Sequence, residues 1–190
     1  LPSILLKPYE ILEIRKFLII NVGLYEAGFW EAMSRVSNLY LMFVSTLVSL
    51  YFYPKLIKAK NEFETKQVFL NFYKSILPLF IACSIGIYFL RFWILKVLFS
   101  SEFLPVSDLF LWQIIGDFFR ICGMILGFQF LAKKIILHYI LFEFFSNLFL
   151  YFFSIYCIQL IVIKGVLMAQ AAEYFLYFLV LVFYFRKIIF

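Results

Sequence analysis

The sequence predicts an all-α integral membrane protein, a polytopic helical bundle of about five complete spans plus a truncated first one. Three observations lead there. Hydrophobic residues make up 66% of the 190 and charged ones only 15%, against about a quarter charged in soluble domains; mean hydropathy reaches +1.01. The apolar residues fall in successive runs long enough to cross about 30 Å of hydrocarbon as helices. The lysines and arginines gather mostly in the short stretches between those runs, so the net charge of +6 reads as topological charge at a membrane surface. A nucleic-acid partner is not expected. Residues 1–190 are expected to form a single transmembrane domain.

Taken in order, residues 1–16 read as a partial span, the tail of a helix whose beginning is missing. Leu1 opens the chain with neither an initiator Met nor a signal-peptide pattern, and a longer parent chain is expected. The second span covers residues 28–53 and is closed by Pro54; the lysines 55, 58, 60 and 66 follow as the densest positive cluster. The third covers residues 69–90, with Pro78 and Gly86 tolerated inside it because neighbouring helices re-satisfy the freed backbone groups. Arg91 ends it, and FWILKVLFSSEF, too short to cross, reads as an interfacial helix. The fourth span, residues 105–131, is followed by the basic Lys133 and Lys134; the fifth covers 135–156 and the sixth 166–185. With alternating spans, the lysine-rich loops and the Arg186–Lys187 end share one face, which the positive-inside rule makes cytoplasmic together with the C-terminus.

The fourth span is the element around which the others are organised. It carries Asp108, Gln113, Asp117 and Arg120 in an otherwise apolar run. A charge at the bilayer centre costs at least about 2.5–3.5 kcal/mol on insertion scales, so these groups must face the bundle or water. Asp117 and Arg120 lie three apart on one helix face and are expected to offset each other. Gly123 and Gly127 form a small-residue step on which another helix can pack. Other spans also bear polar faces: Glu31 with Arg35, Glu143 with Asn147, Gln170 with Glu173. So many polar faces in one bundle are best accommodated around a water-filled cavity.

Catalysis finds no support. There is no nucleophile–His–acid set, no phosphate-cradling glycine loop and no metal cluster, so neither enzymatic activity nor a cofactor is expected. Cys83, Cys122 and Cys157 all fall in apolar runs and read as small core hydrophobes. Tyr25, Trp30 and Trp112 read as interfacial belt residues, with stacking on sugar rings as the alternative.

The runs VGLYEAGFWEAMSRVSNLYLMFVSTLVSLYFYPKL, EFLPVSDLFLWQIIGDFFRICGMILGFQFLAKK and GVLMAQAAEYFLYF resemble the C-terminal half of Wzx-type flippases. These are the O-antigen and common-antigen (lipid III) translocases of the multidrug/oligosaccharidyl-lipid/polysaccharide superfamily, which is MATE-like. The pattern DLFxWQxxGD, from Asp108 to Asp117, is the most specific part. The resemblance implies one six-helix lobe of a twelve-helix, alternating-access transporter in the bacterial inner membrane. It implies as substrate an undecaprenyl-pyrophosphate-linked oligosaccharide, and as partners membrane lipids, the N-terminal half of the transporter and the polysaccharide polymerase machinery. Cavity residues carried by the resemblance are Arg15, Asp108, Gln113 and Asp117; Arg35, Arg120, Glu143 and Glu173 rest on the polar faces alone. A cation-coupled drug or small-solute exporter of the same superfamily, or a half-transporter without transport of its own, remain the alternatives.

Overall fold

The computed structural model describes residues 2–186; Leu1 and residues 187–190, Lys187 among them, lie outside the described residues. The described residues are helical throughout apart from short turns, with no strand among them. Helix α1 spans Pro2–Asn21 and α2 Leu24–Leu47. A π turn, Val48–Phe52, carries α2 without a break into α3, Tyr53–Lys58. Then come α4 (Glu62–Leu98), a 3-10 segment (Ser101–Leu109), α5 (Phe110–Ala132), α6 (Ile136–Ile161) and α7 (Ile163–Tyr184). Five stretches are long and apolar enough to cross a membrane: Leu24–Lys58, Glu62–Leu98, Glu102–Ala132, Ile136–Ile161 and Ile163–Tyr184. The shorter α1, which holds Lys7, Glu10, Glu13, Arg15 and Lys16, packs on α2 and α6 and buries Ile14 and Leu18 completely.

Local chemistry explains the joints. Between α1 and α2 the amides of Val22 and Gly23 both donate to the Leu18 carbonyl, and Gly23 adopts φ 137°, a conformation open to glycine at little steric cost. Helix α4 begins on Asn61, whose Oδ1 accepts from the Glu64 amide at 2.8 Å, while the Glu64 carboxylate accepts from the Lys60 amide at 2.8 Å. That reciprocal pair satisfies two otherwise orphaned donors. Only Val162 separates α6 from α7, at φ 58°, and this tight corner forces the two helices together where α7 begins.

Two expected boundaries move. Pro54 does not close the second span. It lies inside the continuous helix directly after the π turn, an irregular turn of the kind that accommodates a lost i→i−4 bond, and helix continues to Lys58. FWILKVLFSSEF is not a separate interfacial helix either, because α4 runs unbroken to Leu98. No glycine or proline stands between Leu90 and Leu98 to stop it. Arg91 does not interrupt the run: its guanidinium lies over the rings of Tyr88 and Phe92 and donates to the Tyr88 carbonyl. Residues 105–109, by contrast, are 3-10 rather than α-helix.

Helix α5 is central: in the most apolar 18-residue stretch of Glu102–Ala132 56% of residues are buried, against 17% in that of Glu62–Leu98. The apolar core divides into two clusters. One gathers Ile14, Leu18, Trp30, Met33, Leu109, Phe110 and Leu167; the other gathers Val48, Phe52, Leu126, Phe130 and Leu181. Along the chain, the buried polar residues Ser37, Gln113, Asp117 and Glu173 fall between members of the two clusters. These four form a polar waist between the two apolar clusters. The alternation of the spans gives a first expected result: single cysteines at Lys60 and Lys134 should react with a membrane-impermeant thiol reagent from one side only, and cysteines at Glu102 and Lys164 from the other. Labelling of positions 60 and 164 from the same side would overturn that topology.

Candidate functional site

The polar waist holds two separate arrangements. In the first, Asp117 is completely buried and faces α2. Ser37 Oγ donates to its Oδ2 at 2.7 Å, the Tyr40 hydroxyl makes a short bond to the same oxygen, and Gln113 Nε2 reaches both carboxylate oxygens at 3.2 Å. Serine and tyrosine three apart on α2 present both hydroxyls on one face. This knot ties α2 to α5 with hydrogen bonds rather than with a counter-ion. Asp117 and Arg120 form no contact ion pair among the described residues, although they stay near enough for each to feel the other's charge. The Arg120 guanidinium lies instead over the Tyr174 ring of α7.

The second arrangement is a pocket of about 520 Å³ between α1, α5, α6 and α7. Lys7 and Arg120 enter from α1 and α5, Glu143, Ser146 and Asn147 from α6, and Glu173, Tyr174 and Tyr177 from α7. The Tyr174 ring carries both cations, with Lys7 Nζ at 5.9 Å and the Arg120 guanidinium at 5.5 Å from its centroid, within the range of cation–π attraction. The Tyr177 hydroxyl donates to Glu143 Oε1 at 3.1 Å, and Ser146 donates to Glu173 Oε1. Glu173 Oε2 and Asn147 Nδ2 are buried without a hydrogen-bond partner. Two cations and two carboxylates thus meet around one cavity, and none of them takes part in an ion pair among the described residues. Charges left apart at membrane depth call for water or a polar ligand.

The remaining expected residues lie elsewhere. Glu31 bridges α1 and α2: Arg15 reaches its Oε2 at 2.8 Å and Arg35 its Oε1 at 2.6 Å, the Arg35 side chain being 70% exposed. Asp108 is exposed in the 3-10 segment. Gln113 and Asp117 are buried in the knot and do not line the pocket. Gly123 and Gly127 both face Tyr177: a Cβ on Gly123 would stand 3.1 Å from its ring, and one on Gly127 3.8 Å from its hydroxyl.

Sequence reasoning passed over Lys7, Ser37, Tyr40, Ser146 and the pocket tyrosines. The usable signal for Ser37 and Tyr40 was polar spacing of three on an apolar helix. Lys7 offered none, since Glu10, Glu13, Arg15 and Lys16 beside it give the same helix a surface character.

No family model matches the chain, and no solved structure matches it. Similarity is found to the lipid III flippases of Escherichia coli (strain K12) and Shigella flexneri, each 29% identical over 171 residues. The match covers 90% of this chain but only 41% of each flippase, so the chain spans well under half the length of the curated relatives it matches. The resemblance read in its residues is therefore borne out: this helical membrane chain is similar to lipid III flippases over nine-tenths of its own length.

Proposed function

We propose that the chain is one lobe of a flippase that moves a polyprenyl-pyrophosphate-linked oligosaccharide, an O-antigen or similar repeat unit, from the cytoplasmic to the periplasmic leaflet of a bacterial inner membrane. The observation that carries the reading is the pocket in which Lys7 and Arg120 share the Tyr174 ring with no carboxylate in contact. A pyrophosphate is a multiply charged anion. Two cations already inside the lobe offset part of the cost of bringing it there, and arginine supplies fork-shaped donors matched to phosphate oxygens. Around them, the Glu143 and Glu173 carboxylates, Ser146 and Asn147 offer the acceptors and donors that sugar hydroxyls need. Arg15 and Arg35, held on Glu31 at the α1–α2 face, supply further positive charge where a second lobe would close the transport path.

The same acidic pair supports a second reading, a cation-coupled exporter, in which Glu143 and Glu173 take the cation. One experiment separates them. The full-length transporter carrying this chain is expressed in cells deleted for their own flippase, and surface glycan is measured together with resistance to cationic drugs. Restored glycan that is lost in the Lys7→Ala, Arg120→Ala double variant supports the flippase reading. Drug resistance without glycan, from protein shown to be in the membrane, overturns it.

A further inference from the structure

The flippase reading uses the α1 and α7 sides of α5 and leaves the α4 side unused. There the α4–α5 seam opens into a groove of about 500 Å³, walled by apolar side chains such as Phe80, Ile81 and Phe89 of α4 and Ile114 and Phe118 of α5. Two observations distinguish it from ordinary lipid-facing surface. Ser84 lines the groove, is only 5% exposed, and its hydroxyl has no hydrogen-bond partner. A polar group held unpaired against apolar walls is costly until an acceptor reaches it.

The second observation is Arg91. Its guanidinium lies 4.2 Å from the ring centroid of Tyr88, a residue of the groove wall. One terminal nitrogen donates to the Tyr88 carbonyl at 2.7 Å, and Nε is buried without a partner. Arg91 enters none of the ion pairs among the described residues; two rings and a carbonyl meet its guanidinium, and no carboxylate does. Ser84 and Arg91 are two helical turns apart and hence on the same side of α4, roughly 10 Å from each other along its axis. Arg91 itself lies about 10 Å inside the Leu98 end of that helix. An apolar trough, a buried hydroxyl partway along it and a guanidinium near the helix end match an anionic amphiphile. A neutral chain would answer only the first of the three.

We propose that the α4–α5 groove is a binding site for an anionic phospholipid, with an acyl chain laid along Phe80, Ile114 and Phe118 and the phosphate against Arg91. Ser84 then donates to the ester oxygens between them. The site is separate from the pocket of Lys7 and Arg120, and its lipid is a structural ligand rather than cargo.

The full-length protein, purified into nanodiscs of phosphatidylcholine with or without phosphatidylglycerol, tests this by native mass spectrometry of retained lipid. Phosphatidylglycerol should be retained in preference to phosphatidylcholine by roughly tenfold, the worth of one charge-assisted contact. Arg91→Gln should abolish that preference and Arg91→Lys should keep part of it. Ile114→Trp, which fills the trough and leaves the charge in place, should lower retention of both lipids. Equal retention of the two lipids by the unaltered protein overturns the proposal, as does a preference that survives Arg91→Gln. A photo-crosslinker at position 114 that captures a protein segment instead of lipid overturns it as well. Should Arg91→Gln fail to reach the membrane, the comparison of lipids on the unaltered protein and on Ile114→Trp decides.

Discussion

Replacing Arg120 by Ala in the full transporter should lower translocation of lipid-linked oligosaccharide by roughly ten- to a hundredfold, the worth of a lost hydrogen bond to a charged group. The competing view makes Arg120 a mere counter-ion for Asp117, in which case the double change Asp117→Ala, Arg120→Ala would restore function. The geometry argues against restoration. Asp117 is satisfied by Ser37, Tyr40 and Gln113, whereas Arg120 reaches into the pocket beside Tyr174. The two losses should therefore compound: Arg120→Ala removes a pocket cation, and Asp117→Ala strands the donors of the buried Ser37 and the part-buried Tyr40, with a penalty of about 1–3 kcal/mol for a fully buried group left unpaired. Arg120→Lys should recover only part of the activity, since a point charge lacks the planar fork. Translocation assayed in proteoliposomes, with membrane insertion verified for each variant, checks this. A double variant as active as the unaltered protein would return Arg120 to a counter-ion role.

Gly165→Ala should be the most damaging single methyl addition in the lobe. A Cβ there would stand 2.2 Å from the carbonyl oxygen of Cys157, 2.5 Å from its carbon and 3.0 Å from the Ile158 amide nitrogen. All three atoms are backbone, so no side chain can swing aside, and the α6–α7 corner at Val162 would have to open. Overpacking of this kind costs about 1–3 kcal/mol, and a rigid backbone contact places it at the upper end. Gly28 and Gly86 provide the control. Nothing stands within 4 Å of a Cβ at either, and alanine in a helix interior gains about 0.5–1 kcal/mol over glycine. Thermal unfolding in detergent should therefore rank Gly165→Ala far below the unaltered protein, with Gly28→Ala and Gly86→Ala at or above it. A Gly165→Ala variant that unfolds with the unaltered protein would show that the corner is looser than drawn.

What the sequence disclosed and what it withheld divide along a physical line. Composition and the length of the apolar runs made a helical membrane bundle legible, because both depend on the bilayer and not on any particular neighbour. Glu31 with Arg35 was legible for a similar reason: four residues of helix bring the side chains together, and the ion pair stands at 2.6 Å. Asp117 with Arg120 has a comparable spacing and behaves otherwise. The hydrogen bonds to Asp117 come instead from Ser37, 80 positions away, and from Tyr40 on the same helix. Lys7 was hidden because its acidic and basic neighbours mask a charge that tertiary packing turns into the pocket. Gly165 was hidden because the eight-residue return to Cys157 exists only once the α6–α7 corner has formed.

The unbroken helix from Leu24 to Lys58, at 35 residues, has a length of roughly 52 Å, and the 37-residue α4 one of roughly 55 Å. Hydrocarbon is about 30 Å thick, and tilts within 40° of the bilayer normal cannot absorb such an excess. The surplus must stand clear of the hydrocarbon, and part of it gathers where the two helices meet, at the turn between Lys58 and Glu62. The lysines 55, 58 and 60 at that turn mark it as the end that stands in water, a spar of two helix ends. A spar works as a lever: a rocking of about 10° over roughly 20 Å of protruding helix sweeps its tip sideways by some 3–4 Å. Motion too small to notice within the bilayer would become visible at that tip, which makes it the natural place for a distance probe reporting on the lobe while it works.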